Sequence, residues 1–402
     1  MRYPAVPLVT VDPYFSCWST YDSLYAGVTT HWTGKQQAIT GIFTLDGKTY
    51  RFMGKINPDE FAPYAEPPTL RQTSCMVHPT RTIYRFQIPE TANQWEVVFW
   101  TPLLLNDLRV MARPTSYIDF TFIPADDQPH DFSVYVDIGG EMCINQPDQE
   151  VKMEIEEGEN CTGLTASNVV QDILNRAGDD VRIDWGRLHL LVPKGWQGKL
   201  SDMSARIGIP LHRNMECPIK ASEHPVLAVT YEAVQQQGMW HSFLILGYED
   251  VASVRYFGKP LSYYGAKAAQ PFEHVMQEAL IEHDELLTRC EAEDDHIEAQ
   301  TRRAGGVMYQ EMCSLGYRQA IAAHKLVQDE QGRLLFFSKE CFSNGCMATV
   351  DVTYPSIPLF LCYCPELVKG MLRPIMDYAV CEAWPYEFAP HDVGRYPIAD
   401  GQ

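Results

Sequence analysis

Hydrophobic and polar positions alternate with a period of two over the first two-thirds of the chain, the spacing of strands with one buried face. An Asp-Gly turn between residues 42–45 and 49–53 predicts a hairpin. Further strands are predicted at 94–100, 117–123, 132–138, 151–155, 187–192, 226–234 and 240–248. Short strands separated by Pro, Gly and Asn predict an all-β sandwich or stacked sandwiches.

The period changes to three or four near residue 270, which predicts helices for the rest of the chain. Residues 272–290 place their apolar side chains on one stripe, as in an amphipathic helix. A second helix, predicted at 307–327, is apolar on nearly every face and must be covered on most sides. A third is predicted at 357–379, interrupted at Pro365 and Pro374. The fold class is therefore multidomain, with an N-terminal all-β part followed by helices.

Composition excludes several classes of partner. The net charge of −20 argues against nucleic acid, because phosphate binding needs clustered Lys and Arg. No apolar run approaches the roughly 18 residues of a membrane span, and the N-terminus lacks the apolar stretch of a signal peptide. Twelve cysteines sit within apolar segments, so we expect reduced thiols and a cytoplasmic protein. The acidic cluster at 291–298 is interpreted as a solvated helix face and linker.

Candidate chemistry lies in two polar segments of the helical part, at 338–356 and 387–397. Known nucleotide, zinc and Ser-x-x-Lys motifs are absent from the sequence, and we expect no cofactor and no metal. Carboxylates, amides and aromatic residues alternate there and could hold a small polar ligand. The adjacent His391 and Asp392 could pair as base and charge. The simpler alternative is that these are loop-structuring residues and helix caps, Asp351 and Ser356 in particular.

Several ordered motifs resemble the glutaminase A family of bacteria and fungi. They are the segments 7–16, 31–35, 46–54, 335–340, 344–345, 349–356 and 389–394. The resemblance implies an N-terminal β region followed by a six-hairpin (α/α) toroid. About three helices fit after residue 270, so we expect only the beginning of the toroid. The predicted division is an N-terminal β segment at 1–60, a β-sandwich domain at 61–268, a linker helix at 269–300 and the toroid start at 301–402.

The family resemblance implies hydrolysis of L-glutamine to L-glutamate and ammonia. Amide hydrolysis needs an activated water or nucleophile, a stabiliser for the oxyanion and an acid for the departing amine. We assign carboxylate acid/base chemistry in a cleft at the toroid end to four residues: Glu340, Asp351, His391 and Asp392. We assign substrate contacts to four others: Asn344, Tyr354, Glu387 and Tyr396.

Two other functions fit the same residues. Glycoside hydrolysis also needs two carboxylates and a polar, aromatic rim, so the chain could be a six-hairpin carbohydrate-active hydrolase. The substrate is then a saccharide in place of a small molecule. A non-catalytic remnant or binding module is the third possibility. Because later helices would cover the apolar faces of 307–327 and 357–379, we expect the chain to be inactive alone and to self-associate through them.

Overall fold

The computed structural model describes residues 2–57, 65–207, 218–267, 269–341 and 343–402. The predicted domain boundaries at residues 60–61 and 268 lie outside these ranges, as do Cys217 and Phe342. Every cysteine within them is a free thiol. Among the helices of these ranges, none combines the length and the apolar character that crossing a membrane requires.

A nine-stranded antiparallel sheet runs through the β region. Its strands lie in the order β14-β10-β11-β12-β16-β8-β7-β6-β5. Their bounds are β5 (Arg71–Val77), β6 (Arg81–Gln87), β7 (Gln94–Trp100), β8 (Thr115–Ile123), β10 (Glu150–Glu157), β11 (Cys161–Asn168), β12 (Arg187–Pro193), β14 (Ile219–Lys220) and β16 (Trp240–Glu249). The predicted strands at 94–100, 117–123, 151–155, 187–192 and 240–248 are all present in it.

A five-stranded antiparallel sheet packs on this sheet, in the order β13-β15-β9-β3-β4. Its strands are β3 (Ile39–Leu45), β4 (Lys48–Met53), β9 (His130–Gly139), β13 (Trp196–Asp202) and β15 (Pro225–Gln236). The predicted hairpin is β3–β4, and Asp46 and Gly47 both have positive φ, 48° and 81°. An Asp-Gly pair tolerates this backbone, which is why the turn forms there.

Aromatic side chains fill the space between the two sheets. Phe43 stacks on Trp95 at 4.4 Å between ring centroids, and Phe132 contacts Trp240 at 5.2 Å. All four rings are buried. Phe43 and Phe132 belong to the five-stranded sheet, and Trp95 and Trp240 belong to the nine-stranded sheet. Because side chains alternate between the two faces of a strand, all four point into the space between the sheets. The predicted sandwich is confirmed.

Two helices cover the outer face of the nine-stranded sheet. They are α2 (Phe272–Ile281) and the first half of α3 (His283–Ala322). Their buried Phe272, Met276 and Leu286 pack on Trp100 and other outward side chains of the sheet. The single helix predicted at 272–290 is wrong, because the structure has two helices that meet at Glu282, and the second continues for 40 residues. The backbone of α3 leaves helical geometry at Gly306, where φ is 78°.

The helical part after Gly306 packs around a smaller core that also includes Leu103, Leu105 and Met111 of the β region. It consists of the rest of α3, the hairpin β19 (His324–Gln328) and β20 (Leu334–Ser338), α4 (Val350–Tyr363) and α5 (Pro365–Ala379). The helix predicted to reach residue 327 is wrong, because 324–328 pair with β20 as a strand. The third helix begins at Val350 instead of 357, and it breaks before Pro365 but not at Pro374. This part matches the predicted helical region that follows the sandwich.

Ion pairs attach α3 to the β region. Asp294 is buried and accepts hydrogen bonds from the Thr80 backbone and from Arg81, at 2.7 and 2.8 Å. Burial raises the pKa of Asp294, and Arg81 opposes that shift. Glu298 lies 2.6 Å from His78. The interpretation of this acidic cluster as a solvated face is therefore wrong for the side of α3 that docks on the turn between β5 and β6.

A second buried connection ties the helical part to the N-terminal segment. Lys325 in β19 lies 2.6 Å from Asp12 and 2.8 Å from Asp250, and all three side chains are buried. The remaining elements complete the seam between the two parts. They are β1 (Val6–Thr10) paired with β2 (Ser16–Ser19), α1 (Leu108–Ala112), and the three-stranded sheet of β17 (Val254–Tyr256), β18 (Lys259–Leu261) and β21 (Ile398–Ala399).

Candidate functional site

The four predicted catalytic residues come from three segments that meet at one end of the helical part. Glu340 follows β20, Asp351 lies in the first turn of α4, and His391 and Asp392 precede β21. Backbone hydrogen bonds join the segments, since the Val350 N–H donates to the His391 carbonyl at 3.1 Å and the Glu340 N–H donates to the Cys346 carbonyl at 2.9 Å. The fold therefore brings together side chains about fifty residues apart in sequence.

His391 is oriented by its neighbour in the chain. Its Nδ1 lies 2.9 Å from Oδ2 of Asp392, and Oδ1 of Asp392 accepts the Gly394 N–H at 2.9 Å. Asp392 is buried, whereas about half of the His391 side chain is exposed. Accepting this hydrogen bond, Asp392 raises the pKa of His391, and partial burial opposes the shift. With Nδ1–H donated to Asp392, the neutral ring carries its lone pair on Nε2.

His391 lies beside two carboxylates. Its Nε2 is 3.8 Å from Oδ1 of Asp351, and Glu340, Asp351 and His391 each offer one donor atom to a group whose three atoms lie within 4.8 Å of one another. Glu340 Oε1 accepts the Ser343 hydroxyl. Within the described residues, Glu340 Oε2 is shielded from solvent and has no hydrogen-bond partner. The cluster can therefore accept protons or hold a cation.

Part of the polar segment 338–356 is helical. Residues 350–356 belong to α4, and Asp351 lies in its first turn. A carboxylate in the first turn interacts favourably with the helix dipole, so the structural alternative for Asp351 also has a physical basis. Ser356 donates its hydroxyl to the Val352 carbonyl within the same helix, at 3.0 Å.

Cys346 lies beside Asp392 at the base of the cluster. Burial raises the pKa of its thiol to about 11, and the neighbouring Asp392 charge adds to the shift. A thiol in this state stays protonated at neutral pH and is a poor nucleophile. A nucleophilic cysteine at this position is not supported.

The four residues assigned to substrate contacts do not converge in the same way. Asn344 accepts the Cys346 N–H at 2.8 Å and so shapes the loop. Tyr354 and Glu387 are exposed, Tyr354 on α4 and Glu387 in the loop before His391. Tyr396 is fully buried against Tyr14, at 4.8 Å between ring centroids, so its ring is not available to a ligand at the cluster.

Residues from the β region reach the site, and sequence reasoning missed them. Lys339 lies 3.0 Å from Asp179 and 4.2 Å from the centroid of the Trp32 ring, with its side chain fully buried. At Gly345, where φ is 73°, a Cβ atom would lie 2.5 Å from the Gly178 backbone. Trp32 and Lys339 stand inside the family-like segments 31–35 and 335–340, which was the available signal. The 178–182 loop carries no recognisable pattern.

The donor chemistry of the cluster also suits a metal ion. Two overlapping groups in the described part of the chain have this property: Glu340 with Asp351 and His391, and Cys346 with His391 and Asp392. The sequence predicts no metal, because it contains no known zinc-binding motif. A separate groove of about 630 Å³ lies between β10–β12 and α2, and it contains none of the predicted site residues.

Family models match three parts of the chain. They are the glutaminase A six helical-hairpin domain at 306–402, a domain of unknown function (DUF5127) at 80–300 and another (DUF4964) at 1–59. DUF5127 alone matches more than half of the 402 residues.

Two curated fungal proteins are similar along nearly the whole chain. Glutaminase A of Aspergillus oryzae is 27% identical over all of this chain and 60% of its own length. A probable glutaminase of Arthroderma benhamiae is 21% identical over 97% of this chain and 49% of its own length. The chain thus spans about half to three-fifths of these relatives.

A solved structure with a partial match is a putative kojibiose phosphorylase from the human microbiome. It shares 9% identity, covers 79% of this chain and 39% of its own, and has a TM-score of 0.36, too low to carry an argument. The family models and the end-to-end similarity to the Aspergillus protein agree with each other. The chain belongs to the glutaminase A family.

Proposed function

We propose that the chain is a glutaminase-like hydrolase that cleaves the side-chain amide of L-glutamine at the cluster around His391. The observation that carries the proposal is the Asp392–His391 pair, which turns Nε2 toward Glu340 and Asp351. The glutaminase names of the two fungal relatives support the choice of an amide substrate.

In the proposed reaction, His391 acts as the general base. It takes a proton from water while the water oxygen bonds to the amide carbon, and Asp392 stabilises the imidazolium that forms. The C–N bond then breaks, and the same proton passes to the leaving nitrogen, which departs as ammonia. Glu340 and Asp351 accept hydrogen bonds from the amide NH₂ group and so hold the leaving nitrogen beside the imidazolium.

A carbohydrate-active hydrolase is the second candidate, and one observation favours it. Trp384, Tyr386 and Phe388 form an aromatic group in the loop before His391, with ring centroids 5.0 and 5.3 Å apart along the series. Tyr386 and Phe388 are largely exposed. Exposed rings beside a carboxylate pair would suit a sugar.

The sequence predicts a chain that is inactive alone, but the four predicted catalytic residues meet within it, so we propose that it is active. The test measures two products in parallel. Ammonia is assayed with L-glutamine, and reducing sugar is assayed with a panel of disaccharides. Asp392→Asn should lower ammonia release by about 10²-fold if Asp392 supports a general base. Glu382→Gln is the matched control, an exposed acid in the segment after α5, and should leave the rate unchanged.

Each outcome separates the candidates. Ammonia release that Asp392→Asn does not change would contradict the proposed site. Sugar release without ammonia would establish the carbohydrate-active alternative. Release of neither product would favour a non-catalytic binding module.

A further inference from the structure

We propose that Glu340, Asp351 and His391 bind a divalent metal ion of the Zn²⁺ or Mn²⁺ type. The inference rests on the site of the proposed function but replaces its base: with Nε2 on the ion, water bound to the ion would supply the nucleophile in place of water deprotonated by His391. Its test does not depend on turnover. Three elements of the helical part supply the ligands, one side chain each: the loop after β20, the first turn of α4 and the loop before β21.

The distances between the donor atoms are close to those around a single ion. Metal–ligand bonds to imidazole nitrogen and carboxylate oxygen are about 2.0–2.2 Å, so two ligands of one ion lie at most about 4.4 Å apart. The donor atoms of Glu340, Asp351 and His391 already lie within 4.8 Å of one another. Asp351 is exposed, so its side chain can make the small adjustment that remains.

The hydrogen bond on the far side of the imidazole is the arrangement found around metal-binding histidines. A carboxylate that accepts the Nδ1–H fixes the tautomer and the ring orientation and leaves Nε2 to the metal. Asp392 has this position, at 2.9 Å from Nδ1, and its other oxygen already accepts the Gly394 N–H. Asp392 is therefore a supporting residue and not a ligand.

The same contact disfavours the alternative group of Cys346, His391 and Asp392. A metal bound there would have to displace the hydrogen bond between Nδ1 and Asp392, whereas Nε2 is free for the other group. The geometry thus favours the group on the Nε2 side.

Glu340 provides an independent observation. Its Oε2 atom is shielded from solvent and lacks a hydrogen-bond partner among the groups the structure describes. A shielded carboxylate oxygen without a partner is unfavourable, and a cation would satisfy it. Two carboxylates and one imidazole suit Zn²⁺ or Mn²⁺, whereas Ca²⁺ prefers six to eight oxygen ligands. Positions left open on such an ion could hold and activate water.

The experiment is calorimetric titration of the chelator-treated, dialysed chain with Zn²⁺, Mn²⁺ and Ca²⁺. We expect one site for Zn²⁺ or Mn²⁺ and much weaker binding of Ca²⁺. Asp392→Asn should weaken binding by about 10- to 100-fold, as loss of an outer hydrogen bond does, and His391→Gln by at least as much. Glu340→Gln should weaken it as well, and the control Glu382→Gln should bind like the unchanged chain. Thermal melting of each variant shows that it is folded.

Cobalt distinguishes the two donor groups. A thiolate-to-cobalt charge-transfer band that disappears in Cys346→Ser would place the ion on the Cys346 side and overturn the proposal. Equal Zn²⁺ binding by the unchanged chain, Glu340→Gln and His391→Gln would overturn it too, as would no binding at all. Ammonia release that persists after chelation would count against the metal and not against the proposed function. Metal binding without any ammonia release would support the metal site and count against the proposed function.

Discussion

The β region and the helical part after Gly306 differ in how completely they bury their large side chains. In the β region, Trp95, Trp100 and Trp185 are fully enclosed by the two sheets and the helices on them. In the helical part, each helix buries one side and leaves large apolar side chains exposed on another. The most exposed of them on the helices are Val307, Met308, Met312, Tyr354, Leu361 and Met376. The first region has a closed core, and the second has apolar faces still open to solvent.

The difference bears on function because the candidate site lies in the open part and is held by the closed one. Lys339, the residue before Glu340, is buried and contacts Asp179 and Trp32 of the β region. Gly345 lets its loop approach the Gly178 backbone closely. The β region therefore acts as the support against which the site loops are placed.

The largest effect should come from a core aromatic residue of the β region. Trp95→Ala removes a fully buried ring that stacks on Phe43 and Phe120, and it should lower the free energy of unfolding by about 3–5 kcal/mol. Met308→Ala is the matched change in the helical part, and with 72% of the side chain exposed it should cost less than about 0.5 kcal/mol. Urea denaturation measures both. Equal losses would remove the contrast between the two regions.

A comparable effect is expected at the seam. Lys325→Met leaves Asp12 and Asp250 buried without their cation, which should cost about 3–5 kcal/mol. Adding Asp12→Asn and Asp250→Asn should restore much of this loss, since no buried charge then remains unpaired. The control Lys259→Met removes an exposed ion pair with Glu330 and should change the urea midpoint little. If Lys325→Met behaves like the control, the seam does not depend on this ion triad.

A smaller, pH-dependent effect is expected where α3 begins. Burial lowers the pKa of His283, but hydrogen bonds to Asp119 and Asp284 outweigh it, so the net pKa is raised. Because its pKa is raised, His283 contributes fully to stability below the unfolded-state pKa of about 6.5. That contribution is lost as the pH rises through the folded-state pKa. Asp119 has a lowered pKa, since hydrogen bonds from His241 and His283 outweigh its burial, so its contribution is lost only in acid.

Urea midpoints between about pH 5.5 and 8.5 test this pH dependence. Two buried histidines with lowered pKa values, His31 and His324, act in the opposite direction up to about pH 6.5. The loss that His283 causes should therefore appear toward the alkaline end of the range, and His283→Gln should flatten that part of the slope. The exposed His274→Gln is the control and should keep it. An unchanged slope in His283→Gln would assign the pH dependence to other groups.

The smallest effect on stability is expected at the exposed apolar face of α3, where we propose that self-association takes place. Light scattering should show a mass that rises with concentration for the unchanged chain. Met308→Gln combined with Met312→Gln should reduce that rise without shifting the urea midpoint. Val234→Gln alters an equally exposed side chain of the β region and should change neither. A mass that stays monomeric at all concentrations would contradict self-association.

The sequence predicted strands more accurately than helices, for a physical reason. An alternating strand such as β7 records its buried face directly in every second residue, and its predicted and observed bounds coincide. Around residue 325, a run of Leu326 and Val327 fits a helix or a strand equally well, and pairing with β20 decides between them. The helix predicted from residue 357 begins at Val350 and contains Pro355 and Pro358, so packing outweighs local preference there.

The site was predictable where a local motif carried it. Glu340, Asp351, His391 and Asp392 stand in family-like segments, and the structure brings them together. The buried position of Tyr396 could not be seen, because it follows from packing against Tyr14 near the other end of the chain. The contact of Lys339 with Asp179 joins residues 160 apart, and no local pattern encodes it.

Hydrogen exchange across the whole chain tests most directly whether the β region is closed and the helical part open. Amide protection rises with burial and with the number of contacts that must break to expose a segment. We predict the slowest exchange in β7, β8 and β16, at the centre of the nine-stranded sheet, and clearly faster exchange in α4 and α5. Equal protection of β8 and α5 in a monodisperse monomer would contradict the account.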